Sequence, residues 1–341
     1  MSVLTSLKSM KRCLLYPMER RIDSHYNEQF NLSHESLTMR CTLKYLSLLS
    51  LIFVVACSIV PEVQETPKPL SVAKTQQPKI ALVLGGGAVR GFAHIGVIKA
   101  LEAQGIVPDM VIGTSAGSVV GSLYAGGYSG FELQKIAFQM DEASVGDWAL
   151  PDRGFIKGET LQGFINNALQ NRPIEKLNKV FAAVATDLQT GEQVVFRRGN
   201  AGMAVRASSS VPGLFQPANI GEHEYVDGGL TSPVPVKAAR AMGADIVIAV
   251  DISAKPKYAK VKDSMDILLQ TFNIMGQSIS SYELAGADIV IRPNTGLIGS
   301  ADFEQKHVAI LEGEKATQTA LPLIRQVLLK KGWKGQPGVQ R

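Results

Sequence analysis

The chain has 341 residues, 45% hydrophobic, 19% charged and 6% aromatic, which is enough apolar material for a full core and too mixed for a disordered or fibrous protein. Of the formal charge of +5, residues 1–56 carry seven Lys/Arg against four Asp/Glu, and the remaining 28 against 26 leaves about +2, with no basic cluster of the kind that tracks nucleic acid. All three cysteines (Cys13, Cys41, Cys57) precede residue 58, so the rest of the chain can form neither a disulfide nor a thiolate metal site, and a cysteine nucleophile is excluded there.

The first ordered feature is the apolar run Tyr45 to Ala56, YLSLLSLIFVVA, preceded by Arg40 and Lys44 and followed by Cys57. Twelve residues are too few to cross about 30 Å of hydrocarbon as a helix, but they suit the apolar region of a signal peptide. Val54-Val55-Ala56-Cys57 resembles the bacterial lipobox, which implies that Cys57 becomes the lipidated first residue of the mature protein. Ser58 is not the Asp that resembles an inner-membrane retention signal, so the implied location is lipid-anchored to a bacterial envelope membrane, at the outer membrane facing the periplasm. Met39 starts a signal peptide of ordinary length, so residues 1–38 read as an upstream extension or start-site artefact and 39–56 as the signal peptide. Residues 57–78 hold the lipidated Cys and a proline-rich stretch without periodicity, an extended tether.

From residue 79 to 330 short apolar runs alternate with amphipathic stretches. KIALVL precedes a helical pattern at 91–104, DMVIG precedes another from about 116, and FAAVAT, EYV, ADIVIAV and ADIVIRP follow. Buried strands separated by helices predict an α/β domain with three α/β/α layers and a mostly parallel central sheet. Segments 130–140 and 159–170 interrupt the alternation and are placed to cover a site. Segments 263–284 and 303–330 read as closing helices on the far side, and 331–341 as a polar tail.

Three glycine-rich turns carry the chemistry. DMVI runs into Gly113-Thr114-Ser115-Ala116-Gly117 and then a helix-compatible stretch, the context of a nucleophile elbow that exposes Ser115 at the positive end of the next helix. The plainer reading is a tight turn with Ser115 as an ordinary N-cap. Upstream, KIALVL ends in Gly85-Gly86-Gly87-Ala88-Val89-Arg90-Gly91, where unhindered amides can point at one oxyanion and Arg90 adds positive charge. A dinucleotide loop needs the same ingredients, but its G-x-G-x-x-G template fails because position 90 is Arg. After EYV comes Asp227-Gly228-Gly229, an acid at a strand end that can take the Ser115 proton directly in a Ser-Asp dyad, or else an ordinary turn.

GGGAVRG, GTSAG and DGG, in that order, together with GFAHIGVIKALEAQGIVPDMVIGTSAGS and RASSSVPGLFQP, resemble the patatin-like phospholipase family, and within it the bacterial single-domain group similar to the catalytic domain of neuropathy target esterase. The resemblance covers about residues 79–300. It implies a lipid acyl hydrolase acting on a phospholipid or lysophospholipid, with Ser115 as nucleophile, Asp227 as base and an oxyanion hole at Gly85, Gly86, Gly87 and Arg90. Gly91, Gly113, Gly117, Gly228 and Gly229 serve as motif support. Two residues separate Gly87 from Arg90, so the placement of Arg90 is less fixed than that of the glycines.

The chief rival is a Ser-Asp-His triad with His307, as in a carboxylesterase or thioesterase, but His307 reads as the start of a long helix and the glycine loop lies only one helix before Ser115. A non-catalytic lipid-binding lipoprotein has no need of nucleophile, hole and base together. His94 is expected beneath the site and His223 near Asp227, both structural. Asp187 and Asp251 follow strands and are expected to cap or be solvated, and Ser208 to Ser210 to end a helix. Phe92, Leu123, Phe138 and Phe164 are candidates for an acyl channel or for core. There is no metal-ligand spacing and no cofactor motif.

Overall fold

A computed structural model of the chain describes residues 77–141, 146–147, 153–255 and 261–335. The signal peptide, Cys57 and nearly all of the tether lie outside these residues. In chain order the elements are β1 (Ile80–Leu84), α1 (Phe92–Glu102), β2 (Met110–Thr114), α2 (Ala116–Ala125), α3 (Gly130–Gln139), α4 (Glu159–Ala168), β3 (Val180–Asp187), β4 (Gln193–Phe196), α5 (Ala201–Ser208), β5 (Ala218–Ile220), β6 (His223–Asp227), α6 (Val236–Ala241), β7 (Ile246–Val250), α7 (Ser264–Leu284), β8 (Ile289–Ile291) and α8 (Lys306–Lys330).

The strands form one sheet in the order β5-β6-β3-β2-β1-β7-β8, with β4 also paired to β3. Strands β3, β2, β1, β7 and β8 are parallel, whereas β4 and β6 run antiparallel to β3, and β5 antiparallel to β6. The parallel strands are apolar apart from Thr114, Thr186 and Asp187 at their ends, because both faces of the sheet are covered. Side chains alternate between faces: Ile80, Leu82 and Leu84 join one core with residues of α1, α3, α4, α5 and α8, while Ala81 and Val83 join a second with residues of α6 and α7. The larger side chains face the thicker helical layer, and the result is a three-layer α/β/α fold.

The chain-end helices fall on opposite faces rather than together on the far side. Helix α8 packs against α1, and Phe303 just before it lines the cavity described below, while α7 lies against the other core. The edge strands β4 and β5 escape a reading based on apolar runs because they are only four and three residues long and half-exposed.

Candidate active site

The crossing from β2 to α2 is sharp. Ser115 has φ 53° and ψ −125°, a strained conformation for a side-chain-bearing residue, and it stands at the N-terminus of α2. Its hydroxyl makes no capping hydrogen bond, which sets it apart from an ordinary N-cap. The turn closes only because position 117 has no side chain: a Cβ there would fall 2.1 Å from the Leu84 carbonyl oxygen. Gly117→Ala is therefore expected to lower stability by about 3 kcal/mol or more, read as a shift in the urea midpoint, since backbone rather than a flexible side chain must move.

Register brings the acid to the serine. Thr114 pairs with Val184 across β2 and β3, and the next residue of β3, Ala185, pairs with Asp227 of β6. Ser115 and Asp227 thus stand level, one strand apart, with only a methyl side chain between them. Gly228 lets the chain turn against β3, since a Cβ there would meet the Val184 carbonyl oxygen at 2.1 Å. Asp227 is 6% exposed. Its Oδ1 accepts the Gly229 N–H at 2.7 Å, and its buried Oδ2 has no hydrogen-bond partner. Burial raises the carboxyl pKa from 3.8 to about 6, against the opposing pull of Ser115 and the Gly229 amide. The Ser115 hydroxyl is thus near enough to favour the carboxylate, yet it lies outside hydrogen-bond geometry in this resting conformation.

The glycine loop departs from expectation in which amides it leaves free. Gly85 N–H donates to the Val250 carbonyl at 3.1 Å and Gly86 N–H to the Pro233 carbonyl at 2.9 Å, so neither can donate to an oxyanion. Among the described residues, the amides of Gly87 and Ala88 have no acceptor, and Ala88 is held at φ 51°. Gly86 backs directly onto Ser115, where a Cβ would lie 3.3 Å from Ser115 Cβ. Arg90 does not enter the hole. It is buried, its Nε donates to the Ile252 carbonyl at 3.1 Å, and its Nη1 reaches the Ile298 carbonyl and Ser300 Oγ at 3.4 and 3.5 Å. Burial lowers its pKa to about 10, so it remains a cation, tying two distant loops to the glycine turn.

Other supports are invisible in the motifs. Ser208 Oγ accepts the Ser115 N–H at 2.9 Å and donates to the Val184 carbonyl at 2.6 Å, while the Ser210 carbonyl accepts the Asp227 N–H at 2.9 Å. The serine run that ends α5 therefore holds both Ser115 and Asp227 by their backbones. Ser208→Ala leaves the Ser115 amide buried without a partner and is expected to cost about 1–3 kcal/mol in chemical denaturation. Glu283 of α7 accepts from Ser232 Oγ and the Val234 N–H, fixing the segment whose Pro233 carbonyl anchors Gly86. His94 is fully buried, with Nε2 2.8 Å from the Gly85 carbonyl, and burial lowers its pKa to about 4, so it is a neutral donor bracing the loop from below.

The remaining candidates lie elsewhere. His223 pairs with Asp187 at 2.8 Å, and Asp187 also caps the turn at Gln189 and Thr190. Asp251 accepts from Ser253 N–H and pairs with Arg292. His307 is exposed at the start of α8, and among the described residues no histidine bonds to Ser115 or Asp227. The triad arrangement is therefore absent from the described residues.

Ser115 lines an apolar cavity of about 380 Å³. Helices α3 and α4 contribute Leu133 and Leu161, and Met140 at the end of α3 joins them, so the two segments that interrupt the βα alternation do cover the site. Helix α3 is set in place by a capping box between Ser129 and Glu132. Of the acyl-channel candidates, Phe92 and Leu123 line the cavity, Phe164 packs into the core, and Phe138 faces solvent.

A strained serine elbow beside a desolvated carboxylate, on a three-layer α/β sheet and open to an apolar cavity, defines a class of protein as well as a fold. Residues 82–240 match the family model for patatin-like phospholipase. The segment 82–240 thus belongs to the patatin-like phospholipase family, and the chain is similar to proteins of the NTE family. An uncharacterised NTE family protein of Mycobacterium tuberculosis is 30% identical over 273 residues, covering 71% of this chain and 46% of that one. Patatin-like phospholipase domain-containing protein 6 of Mus musculus is 35% identical over 184 residues, covering 52% of this chain and 14% of that one. The chain thus spans about half the length, or less, of these curated relatives. In fold it is similar to VipD from Legionella pneumophila, with a TM-score of 0.50 at 16% identity over 72% of this chain and 67% of that one.

Proposed function

We propose that the protein is a serine lipid acyl hydrolase of the phospholipase A or lysophospholipase type, with Ser115 as nucleophile and Asp227 as its direct base. The observation that carries this reading is the uncapped Ser115 hydroxyl beside the unpartnered Oδ2 of Asp227, at the wall of an apolar cavity. Asp227 accepts the hydroxyl proton as Oγ bonds to the ester carbonyl carbon, and the amides of Gly87 and Ala88 receive the developing oxyanion at the positive end of α2. The tetrahedral adduct collapses, the carbon–oxygen bond to the glycerol breaks, and the proton on Asp227 passes to the departing alkoxide. Water then loses a proton to Asp227 and attacks the acyl-serine, which releases the fatty acid and returns the proton to Ser115.

The carboxylate suits this work because its pKa near 6 keeps it ionised at neutral pH yet basic enough to accept a proton. The test is hydrolysis of a defined phospholipid and a lysophospholipid by the full chain, alongside labelling of Ser115 by a fluorophosphonate. Release of fatty acid with stoichiometric labelling supports the reading. A protein that binds lipid but neither hydrolyses it nor labels is a non-catalytic binder, and hydrolysis confined to thioesters or simple esters moves it to the esterase alternative.

The proposal extends to location. An acyl anchor at Cys57, joined by the tether that ends at residue 78, holds the hydrolase at an envelope leaflet. Expression in a bacterium fed an alkynyl fatty acid is expected to label the wild-type chain and not Cys57→Ser; equal labelling of both removes the anchor from the proposal.

A further inference from the structure

About half of the large apolar side chains exposed among the described residues lie on α7 or within a few positions of residues that line the cavity. Phe138 follows the cavity residue Ala137 on α3, Phe155 precedes the cavity residue Ile156, and Leu297, 87% exposed, stands three positions before the cavity residue Ser300. On α7, Leu268 and Met265 lie against Gly213, which sits between the cavity residues Val211 and Leu214. The same helix leaves Ile267, Ile274, Met275 and Tyr282 exposed. Its charged residues are Asp266 and Glu283, and Glu283 is buried. Exposed Lys255 and Lys262 precede it, and neither is in an ion pair among the described residues. Among the described residues no helix is long and apolar enough to cross a membrane.

We propose that this rim, with the open side of α7 as its broadest part, is a docking surface for the face of a lipid bilayer; the inference rests on the acyl-hydrolase reading of the cavity. Exposed apolar residues of four separate segments adjoin the walls of a cavity that is itself apolar, three of them next to lining residues in sequence and α7 through Leu268 and Met265 against Gly213, and a bilayer supplies both the surface that covers them and the chain that fills it. With the rim seated among the headgroups, an acyl chain passes from leaflet to Ser115 without crossing water, and the cost of exposing it falls away. Lys255 and Lys262 lie where anionic phosphates would meet the edge of the contact. A rim of this kind docks without spanning, which agrees with the absence of a spanning helix among the described residues.

The experiment uses the full chain carrying Cys57→Ser, so that no acyl anchor contributes, floated with vesicles of phosphatidylcholine and phosphatidylglycerol. The parent is expected to float. The triple variant Phe138→Asp, Ile267→Asp, Leu297→Asp is expected to lose at least about a hundredfold in partitioning, since each change replaces inserted apolar area with a charge repelled by the leaflet. None of the three residues lines the cavity, so the variant keeps the parental rate on a soluble short-chain ester and an unchanged melt. Failure of the parent to float overturns the proposal, as does a triple variant that floats equally well. A parent dimer that the variant reduces to monomer, with flotation unchanged, assigns the rim to a second copy instead. A parent that floats through this rim but hydrolyses neither soluble ester nor phospholipid leaves docking in place and removes the hydrolase reading.

Discussion

Ser115→Ala is expected to lower ester hydrolysis by at least about ten-thousandfold and to leave the melting temperature within a degree or two of wild type. The loss is large because no other serine near the cavity stands on such an elbow: among the described residues Ser208 is bonded on both sides, Ser210 Oγ is spent on the Arg206 carbonyl, and Ser209, which lines the cavity with its hydroxyl unpartnered, ends α5 in ordinary backbone at φ −109°. The fold is spared because the hydroxyl makes no hydrogen bond that supports it, while the contacts that hold the elbow come from the Ser115 backbone, whose N–H reaches Ser208 and whose carbonyl accepts from Ser118. Alanine adopts the same strained turn. Steady-state rates on a short-chain ester, with circular dichroism melts run on the same preparations, decide the matter. Activity within tenfold of wild type in a folded Ser115→Ala protein would refute the covalent mechanism.

Much of this site was legible in the sequence, and for a specific reason. A buried parallel strand must be apolar on both faces, and a strand-to-helix turn this tight admits only glycine at its crossing points, so β1, β2 and the Gly113–Gly117 turn announce themselves. The pairing of Ser115 with Asp227 needed only the order of the motifs. What could not be read is which groups near the motifs are already spoken for. Gly85 and Gly86 look identical to Gly87 in sequence, but their amides are consumed by carbonyls at positions 250 and 233, set by β7 and by a segment that Glu283 holds from α7.

Arg90 illustrates the same limit. A cation beside an oxyanion loop invites a catalytic reading, yet its partners are carbonyls at 252 and 298, brought in by strands far along the chain. Ser208 reads as the end of a helix, which it is, and its bond to the Ser115 amide depends on α5 lying across β3. The face taken by α8 was likewise unreadable, because periodicity states that a helix has an apolar side without saying which layer receives it.

Asp227→Asn is expected to lower ester hydrolysis by about a thousandfold or more and, at pH 8, to stabilise the protein. The two effects share one cause. Burial lifts the folded-state carboxyl pKa from 3.8 to about 6, so the folded protein binds this proton more tightly than the unfolded chain does. The stability this contributes is fully present below pH 3.8 and is lost as pH rises through about 6; at pH 8 the ionised group leaves the fold about 3 kcal/mol weaker than a neutral side chain of the same shape would. Asparagine is that side chain, and its Oδ1 can still accept the Gly229 amide. The melting temperature of Asp227→Asn should therefore exceed wild type by several degrees at pH 8 and match it near pH 4, at about 2–4 °C per kcal/mol. In the wild type, kcat/KM should rise along a single acidic limb with its midpoint near pH 6 and then level off, because only the ionised carboxylate can take the Ser115 proton. A variant equally or less stable than wild type at pH 8, or a wild-type profile flat down to pH 4.5, would show that Asp227 is not the desolvated base. The strain of keeping a carboxylate dry is then the energetic counterpart of its basicity, and stability and catalysis at this residue must titrate together.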